Sequence, residues 1–116
     1  MSNHSAYRTF VDRLSKTKDS AREKSTKKRK SLGLRTAREN LDDLVDPGSF
    51  LEFGAFAVAA QRNRRDYEEL QLETSADGIL TGFCNINEDE VGEDNSHAAA
   101  IIYDYSVLAG SQGFFH

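Results

Sequence analysis

Tyr7, Phe10, Val11 and Leu14 recur at i, i+3, i+4 and i+7. That spacing puts them on one face of an amphipathic helix over residues 5–14. From Ser15 to Ser31 the large apolar side chains vanish and only Ala21 remains. Helix formers dominate there, and Asp19 stands three residues from Lys16 and Glu23 four from Lys27, spacings that favour helix. The stretch is predicted to be a solvated helix or a frayed arm, with nothing in it that forces burial. Leu34, Ala37, Leu41, Leu44 and Val45 then restore a helical stripe. Thr36 with Glu39 three residues later is a capping box, so a helix starts or restarts there. Asp46-Pro47-Gly48 stops it, because proline cannot continue a helix and glycine turns the chain.

After this stop the period shortens. Phe50–Phe53 reads as a short strand broken by Gly54, and Ala55–Ala60 as a second short apolar piece. Residues 61–76 are polar and charged and are predicted to form a long loop with a helical turn around Tyr67–Leu72. Asp77-Gly78 opens a strand over Ile79–Ile86, with Gly82 in its middle. Asn87–Ser96 is acidic and turn-rich, and it joins that strand to an apolar run, Ala98–Leu108. The two are expected to pair antiparallel.

The last run is the longest apolar one in the chain and is predicted to be a buried strand closing in a tight loop, Ala109-Gly110-Ser111-Gln112-Gly113. Asp104 lies inside it between Tyr103 and Tyr105, so packing alone does not account for the strand. Gly110 and Gly113 would let backbone N–H groups approach a ligand. A plain glycine turn at a strand end is the competing reading.

Composition narrows the class. The 116 residues, with one cysteine and ordinary apolar content, fit one small domain of soluble globular type. No window approaches the roughly 18 apolar residues of a membrane span. The basic, serine-containing N-terminus faintly resembles a transit peptide, but Asp12, Asp19 and Glu23 interrupt it. Cys84 alone rules out an internal disulfide and a cysteine-based zinc site, and a reducing cytoplasm is the simplest setting. The net charge of −4 hides an asymmetry. Residues 1–38 hold twelve Lys/Arg against three Asp/Glu, and residues 39–116 hold three against sixteen. A basic arm on an acidic body points to an anionic partner or to pairing with another acidic surface.

Named chemistry is sparse. Lys27-Lys28-Arg29-Lys30 could meet phosphate or form a solvated helix face, and Phe10 is the only aromatic between Tyr7 and Phe50, which weighs against nucleic acid. Asn85, Asn87 and Asp89 alternate as in a calcium loop, yet Glu90 stands where glycine is required. His4, His97 and His116 share no ligand or triad spacing. No catalytic residue and no metal ligand is assigned.

Three blocks in order carry a resemblance. Thr36–Phe53 reads T-A-R-E-N-L-D-D-L-V-D-P-G-S-F-L-E-F, Asp77–Gly82 reads D-G-I-L-T-G, and Tyr103–Gly113 reads Y-D-Y-S-V-L-A-G-S-Q-G. Together they resemble carboxyltransferase subunits of biotin-dependent acyl-CoA carboxylases. The wording is closest to the long single-chain bacterial enzymes that also carry biotin carboxylase. The resemblance implies an α+β chain forming part of a ClpP/crotonase-like fold, with N-terminal helices followed by a small sheet. Residues 1–34 would be a basic helical arm and 35–116 the first part of a carboxyltransferase domain.

The implied activity is transfer of CO2 from carboxybiotin, held on a carrier domain, to the α-carbon of an acyl-CoA, with acetyl- or propionyl-CoA expected. In that chemistry biotin itself takes the α-proton, and backbone N–H groups hold the thioester enolate. The family's S-G-G-A-R-like and G-G-G/A-like oxyanion segments do not occur in this sequence. The expected contribution is therefore the entry side of the acyl-CoA site, from an N-terminal piece that is inactive alone. Ala109, Gly110, Ser111 and Gly113 would lie near CoA, and Arg35 and Arg38, or the Lys27–Lys30 run, could meet its phosphates. Implied partners are biotin carboxylase and biotin carrier domains and further copies of the carboxyltransferase domain, with no membrane. The alternatives are a non-enzymatic module whose basic arm contacts nucleic acid or an acidic protein, and an oligomerisation piece docking through its N-terminal helix.

Overall fold

The computed structural model describes residues 3–111. In chain order the elements are α1 (Asn3–Ser15), α2 (Glu23–Ser31), α3 (Ala37–Leu44), β1 (Leu51–Phe53), α4 (Tyr67–Glu73), β2 (Ile79–Asn85), two single turns α5 (Glu88–Val91) and α6 (Glu93–Ser96), and β3 (His97–Tyr103). The chain is α+β, and its strands form one antiparallel sheet in the order β1-β2-β3.

Helix α3 begins where the sequence says it should. Thr36 Oγ1 accepts from the Glu39 amide, and the Glu39 carboxylate accepts from the Thr36 amide, which satisfies two donors the helix cannot pair internally. Its apolar stripe narrows to Ala37 and Leu41, which are buried, whereas Leu34 and Leu44 are exposed. Ala37 and Leu41 pack on Ala76, Leu80, Cys84 and Ala100, so α3 covers one face of the sheet. Cys84 is buried there, and desolvation raises its thiol pKa, so it is a core side chain. Gly82, paired with Glu52 on β1 and Ala100 on β3, is needed for close approach: a Cβ there would lie 2.2 Å from the Leu51 carbonyl oxygen and 2.6 Å from the Phe50 ring.

A second small core joins Val58 and Ala59 to Leu70 of α4. Ala55–Ala60 is thus apolar because it lies under α4, and it forms no strand. Asp66 caps α4 by accepting from the Glu68 and Glu69 amides, so the helical turn expected near Tyr67–Leu72 is a helix of 7 residues.

Three expectations change. The run Ala98–Leu108 is strand only as far as Tyr103, because Asp104 turns inward and the chain leaves the sheet. The strand lies at the edge of the sheet beyond β2, and only Ala100 on it is buried. Its outward side chains join Leu51, Phe53 and Phe83 in an exposed apolar face with Ile101 and Tyr103. Finally, the polar stretch 15–31 is anchored after all. Thr17 is fully buried and Arg22 is 5% exposed, because the body of the chain supplies Arg22 with a carboxylate that local sequence does not reveal.

Candidate functional site

Helix α2, the C-terminal end of α4 and the loop after β3 border a half-open cavity of about 270 Å³. Lys24, Lys28 and Arg29 enter from α2, Arg65 and Glu73 from around α4, and Tyr105, Leu108 and Ala109 from the loop. Four cationic side chains face one carboxylate, so the cavity favours an anion. A wider groove of about 590 Å³ along Leu51, Phe83 and His97 is lined by no lysine or arginine.

The charges in the cavity differ in how far they are already engaged. Glu73 accepts from Lys24 Nζ at 2.9 Å and also pairs closely with Arg65. Its carboxyl is held below the usual range, chiefly by the Lys24 hydrogen bond. Arg65 also donates to Glu69, which raises its own pKa. Arg29 donates through Nε and Nη2 to the Arg35 carbonyl and lies 5.9 Å from the centre of the Tyr105 ring. Lys28 is different: among the described residues it has no ion-pair partner, and its side chain is exposed at the cavity. A lone ammonium beside apolar Leu108 and Ala109 is a suitable ligand for a phosphate whose adjoining groups are less polar.

The loop wall is locally strained. Leu108, Ala109 and Gly110 all have left-handed backbone, with φ of 47, 54 and 77°. Gly110 is there for two reasons, its φ and the Tyr105 ring that would lie 2.9 Å from a Cβ. Non-glycine residues in this conformation cost energy and persist only where surroundings hold them. Here the hold is a buried network. Asp104 Oδ2 accepts from Arg22 Nη1 at 3.0 Å, and its Oδ1 accepts from the Ser106 amide and hydroxyl.

The predicted site residues divide. Ala109 lines the cavity. Gly110 supports it from behind, with its amide donating to the Val107 carbonyl. The Ser111 amide and hydroxyl both donate to the Leu108 carbonyl. These backbone donors are spent on the turn, so the cavity's anion affinity rests on side chains. Gly113 lies outside the described residues. Arg35 faces away, toward Asn40 and Asp43. Arg38 forms a two-pronged pair with Glu52 and donates to the Thr17 carbonyl, fastening α3 to β1 and to the segment just after α1. Of the Lys27–Lys30 run, Lys28 and Arg29 reach the cavity, while Lys27 pairs with Glu23. Lys24, Arg65 and Tyr105 were not legible as members, because only the tertiary fold brings α4 and the loop against α2.

Among the described residues no helix is long and apolar enough to cross a membrane, and no cluster of acidic, histidine or cysteine side chains could hold a metal. No family model matches the chain. It is 34% identical over 102 residues to the beta4 subunit of the biotin-dependent long-chain acyl-coenzyme A carboxylase of Mycobacterium tuberculosis, covering 88% of this chain and 17% of that one. It is 37% identical over 92 residues to the methylmalonyl-CoA carboxyltransferase 12S subunit of Propionibacterium freudenreichii, covering 78% and 16%. The solved structure of a single-chain, multi-domain long-chain acyl-CoA carboxylase superposes with a TM-score of 0.89 at 46% identity, over 95% of this chain and 11% of that chain. The transcarboxylase 12S crystal structure with methylmalonyl-CoA and methylmalonic acid bound gives 0.67 at 27% identity, over 96% and 19%. The chain thus spans less than a fifth of the length of each of these relatives.

Proposed function

The chain's homologues are carboxyltransferase subunits of biotin-dependent acyl-CoA carboxylases, and from that premise we propose that it forms part of such a carboxyltransferase, with a crotonase-like fold. The reaction is transfer of CO2 from carboxybiotin to the α-carbon of an acyl-CoA. Biotin on its carrier would supply the activated carboxyl group. The residues described here would bind and orient the acyl-CoA, and none of them is given a catalytic role. The relatives' names range from methylmalonyl-CoA to long-chain acyl-CoA, so the substrate class is acyl-CoA without a fixed chain length. Biotin carboxylase, a biotin carrier and further carboxyltransferase copies are the partners this reading implies.

The observation that carries the assignment of this chain's own part is Lys28, without an ion-pair partner among the described residues, at the cavity between α2, α4 and the loop after β3. CoA has phosphates at one end and an uncharged, amide-containing pantetheine arm with aliphatic segments at the other. Lys28, with Arg29 beside it, suits the first, and Leu108 and Ala109 suit the second. Gly110 and Ser111 shape that loop. Arg35 and Arg38 take a smaller part, since their donors are directed at Asp43 and Glu52.

Calorimetric titration of the intact protein with CoA and with dephospho-CoA tests this. A charge-assisted phosphate contact is worth about 1.5–3 kcal/mol, so Lys28→Ala should weaken CoA binding by about tenfold or more. Equal affinity of wild type and Lys28→Ala for CoA would remove the cavity from the site. The nucleic-acid alternative has weaker support, because the basic side chains at this half-open cavity stand with one exposed aromatic, Tyr105, where single-stranded bases need several stacking rings.

A further inference from the structure

A single buried side chain touches every wall of this cavity without lining it. Arg22 immediately precedes α2, whose Lys24, Lys28 and Arg29 form the first wall. Its Nε donates to the Leu72 carbonyl in α4, at 2.7 Å, one residue from Glu73 in the second wall. Its Nη1 and Nη2 donate to Asp104 Oδ2 and Ser106 Oγ, at 3.0 and 3.2 Å, in the loop that forms the third. Asp104 in turn holds Ser106 by two contacts and receives the Val107 amide on its carbonyl, while its own amide reaches back to Gly78. Neither Arg22 nor Asp104 contributes surface to the cavity.

We propose that Arg22 is the positioning residue of the anion site: its guanidinium fixes α2, α4 and the 105–110 loop at the spacing at which Lys28 and Ala109 meet one ligand. This rests on the reading of the cavity as the CoA site. The planar fork of an arginine is what the geometry uses, since three acceptors, one on α4 and two on the loop, lie around one group carried at the start of α2. A lysine there keeps the buried charge but offers one ammonium, which cannot reach all three. The strained backbone at Leu108 and Ala109 is the part that relaxes when the hold is lost.

Two measurements on the intact protein test the assignment, with CoA as the probe. In calorimetry, Arg22→Lys should raise the Kd for CoA about tenfold while the binding stoichiometry stays at the wild-type value. A merely structural role would lower stoichiometry in step with the folded fraction and leave Kd unchanged, and that result overturns the proposal. In amide hydrogen exchange, Arg22→Lys should speed exchange at Val107 and Gly110 while Leu80 and Cys84 keep wild-type protection. Uniformly faster exchange, or none at the loop, overturns it as well. Ser106→Ala, which removes the hydroxyl's contacts with Arg22 and with Asp104 Oδ1 but leaves Arg22 paired with Asp104 and Leu72, should give a smaller change in the same direction in both measurements. If wild type and Lys28→Ala bind CoA equally, the CoA reading fails by itself, and the exchange pattern still decides whether Arg22 positions the loop.

Discussion

The Arg22–Asp104 pair sets a sharp quantitative expectation. Its side chains are 5% and 8% exposed and 3.0 Å apart. Replacing Asp104 with leucine leaves the guanidinium buried opposite an apolar group. Breaking a buried pair from one side costs about 3–5 kcal/mol. Replacing Arg22 with methionine leaves a buried carboxylate, though one still holding the Ser106 amide and hydroxyl, and belongs at the lower end of that range. The double replacement, Arg22→Met with Asp104→Leu, removes both charges. What remains is the loss of partners at the Leu72 carbonyl and at Ser106, about 1–3 kcal/mol. The singles should therefore sum to well above the double, with a coupling of at least about 3 kcal/mol. Urea unfolding followed by far-UV circular dichroism reads this directly. With m of about 1–3 kcal/mol/M, each single lowers the midpoint by at least about 1 M, and the double falls no further than either single. Additivity to within about 0.5 kcal/mol would refute the reasoning, because it would mean that the two side chains do not depend on each other.

Two other expectations follow from local geometry. Gly82→Ala should cost about 1–3 kcal/mol by overpacking, since the added Cβ meets backbone of β1 that cannot rotate away; an unchanged urea midpoint would show that β1 yields freely. Glu39 is held below its ordinary value of 4.5, chiefly by the Thr36 amide. Because the folded value is the lower one, its contribution to the cap is complete above 4.5 and is lost as pH falls through the folded value. A carbon-detected NMR titration should place the Glu39 midpoint below 4.5, and a midpoint at or above it would sink the capping-box account.

Much of the fold was legible because its signals are local. The capping box at Thr36 and Glu39, the stop at Pro47-Gly48 and the strand opening at Asp77-Gly78 each depend on a few adjacent residues. The β2–β3 pairing followed from a turn-rich link between two apolar runs. What failed were readings that needed to know what lies across the fold. The apolar run 98–108 was taken as a buried strand, but Asp104 leaves the sheet to meet Arg22, 82 residues earlier. The presence of an aspartate between two tyrosines was the visible half of that pair, and nothing around Arg22 announced the other half. The cavity was legible in the same partial way. Its loop and the Lys27–Lys30 run stand out in the sequence, though only Lys28 and Arg29 of that run reach the cavity, while Lys24, Arg65 and Tyr105 join them only through packing.

The charge asymmetry acquires a different meaning once the pairs are known. A basic arm on an acidic body pointed outward, to an anionic partner. Much of that complementarity is instead internal. Lys16 meets Glu68, Arg22 meets Asp104, Lys24 meets Glu73 and Arg38 meets Glu52, each joining residues 1–38 to residues 39–116. Exposed pairs such as Lys24–Glu73 contribute little each, about 0–1 kcal/mol. Their common effect is to lay α2 along α4 and the loop with its charges facing the body. Folding the arm back in this way neutralises the side chains nearest the acidic surface. It leaves Lys28, one turn beyond Lys24, exposed at the cavity and, among the described residues, without a carboxylate partner. The anionic partner implied by composition thus has one candidate place on the described residues, the half-open cavity where Lys28 and Arg29 stand beside Leu108 and Ala109.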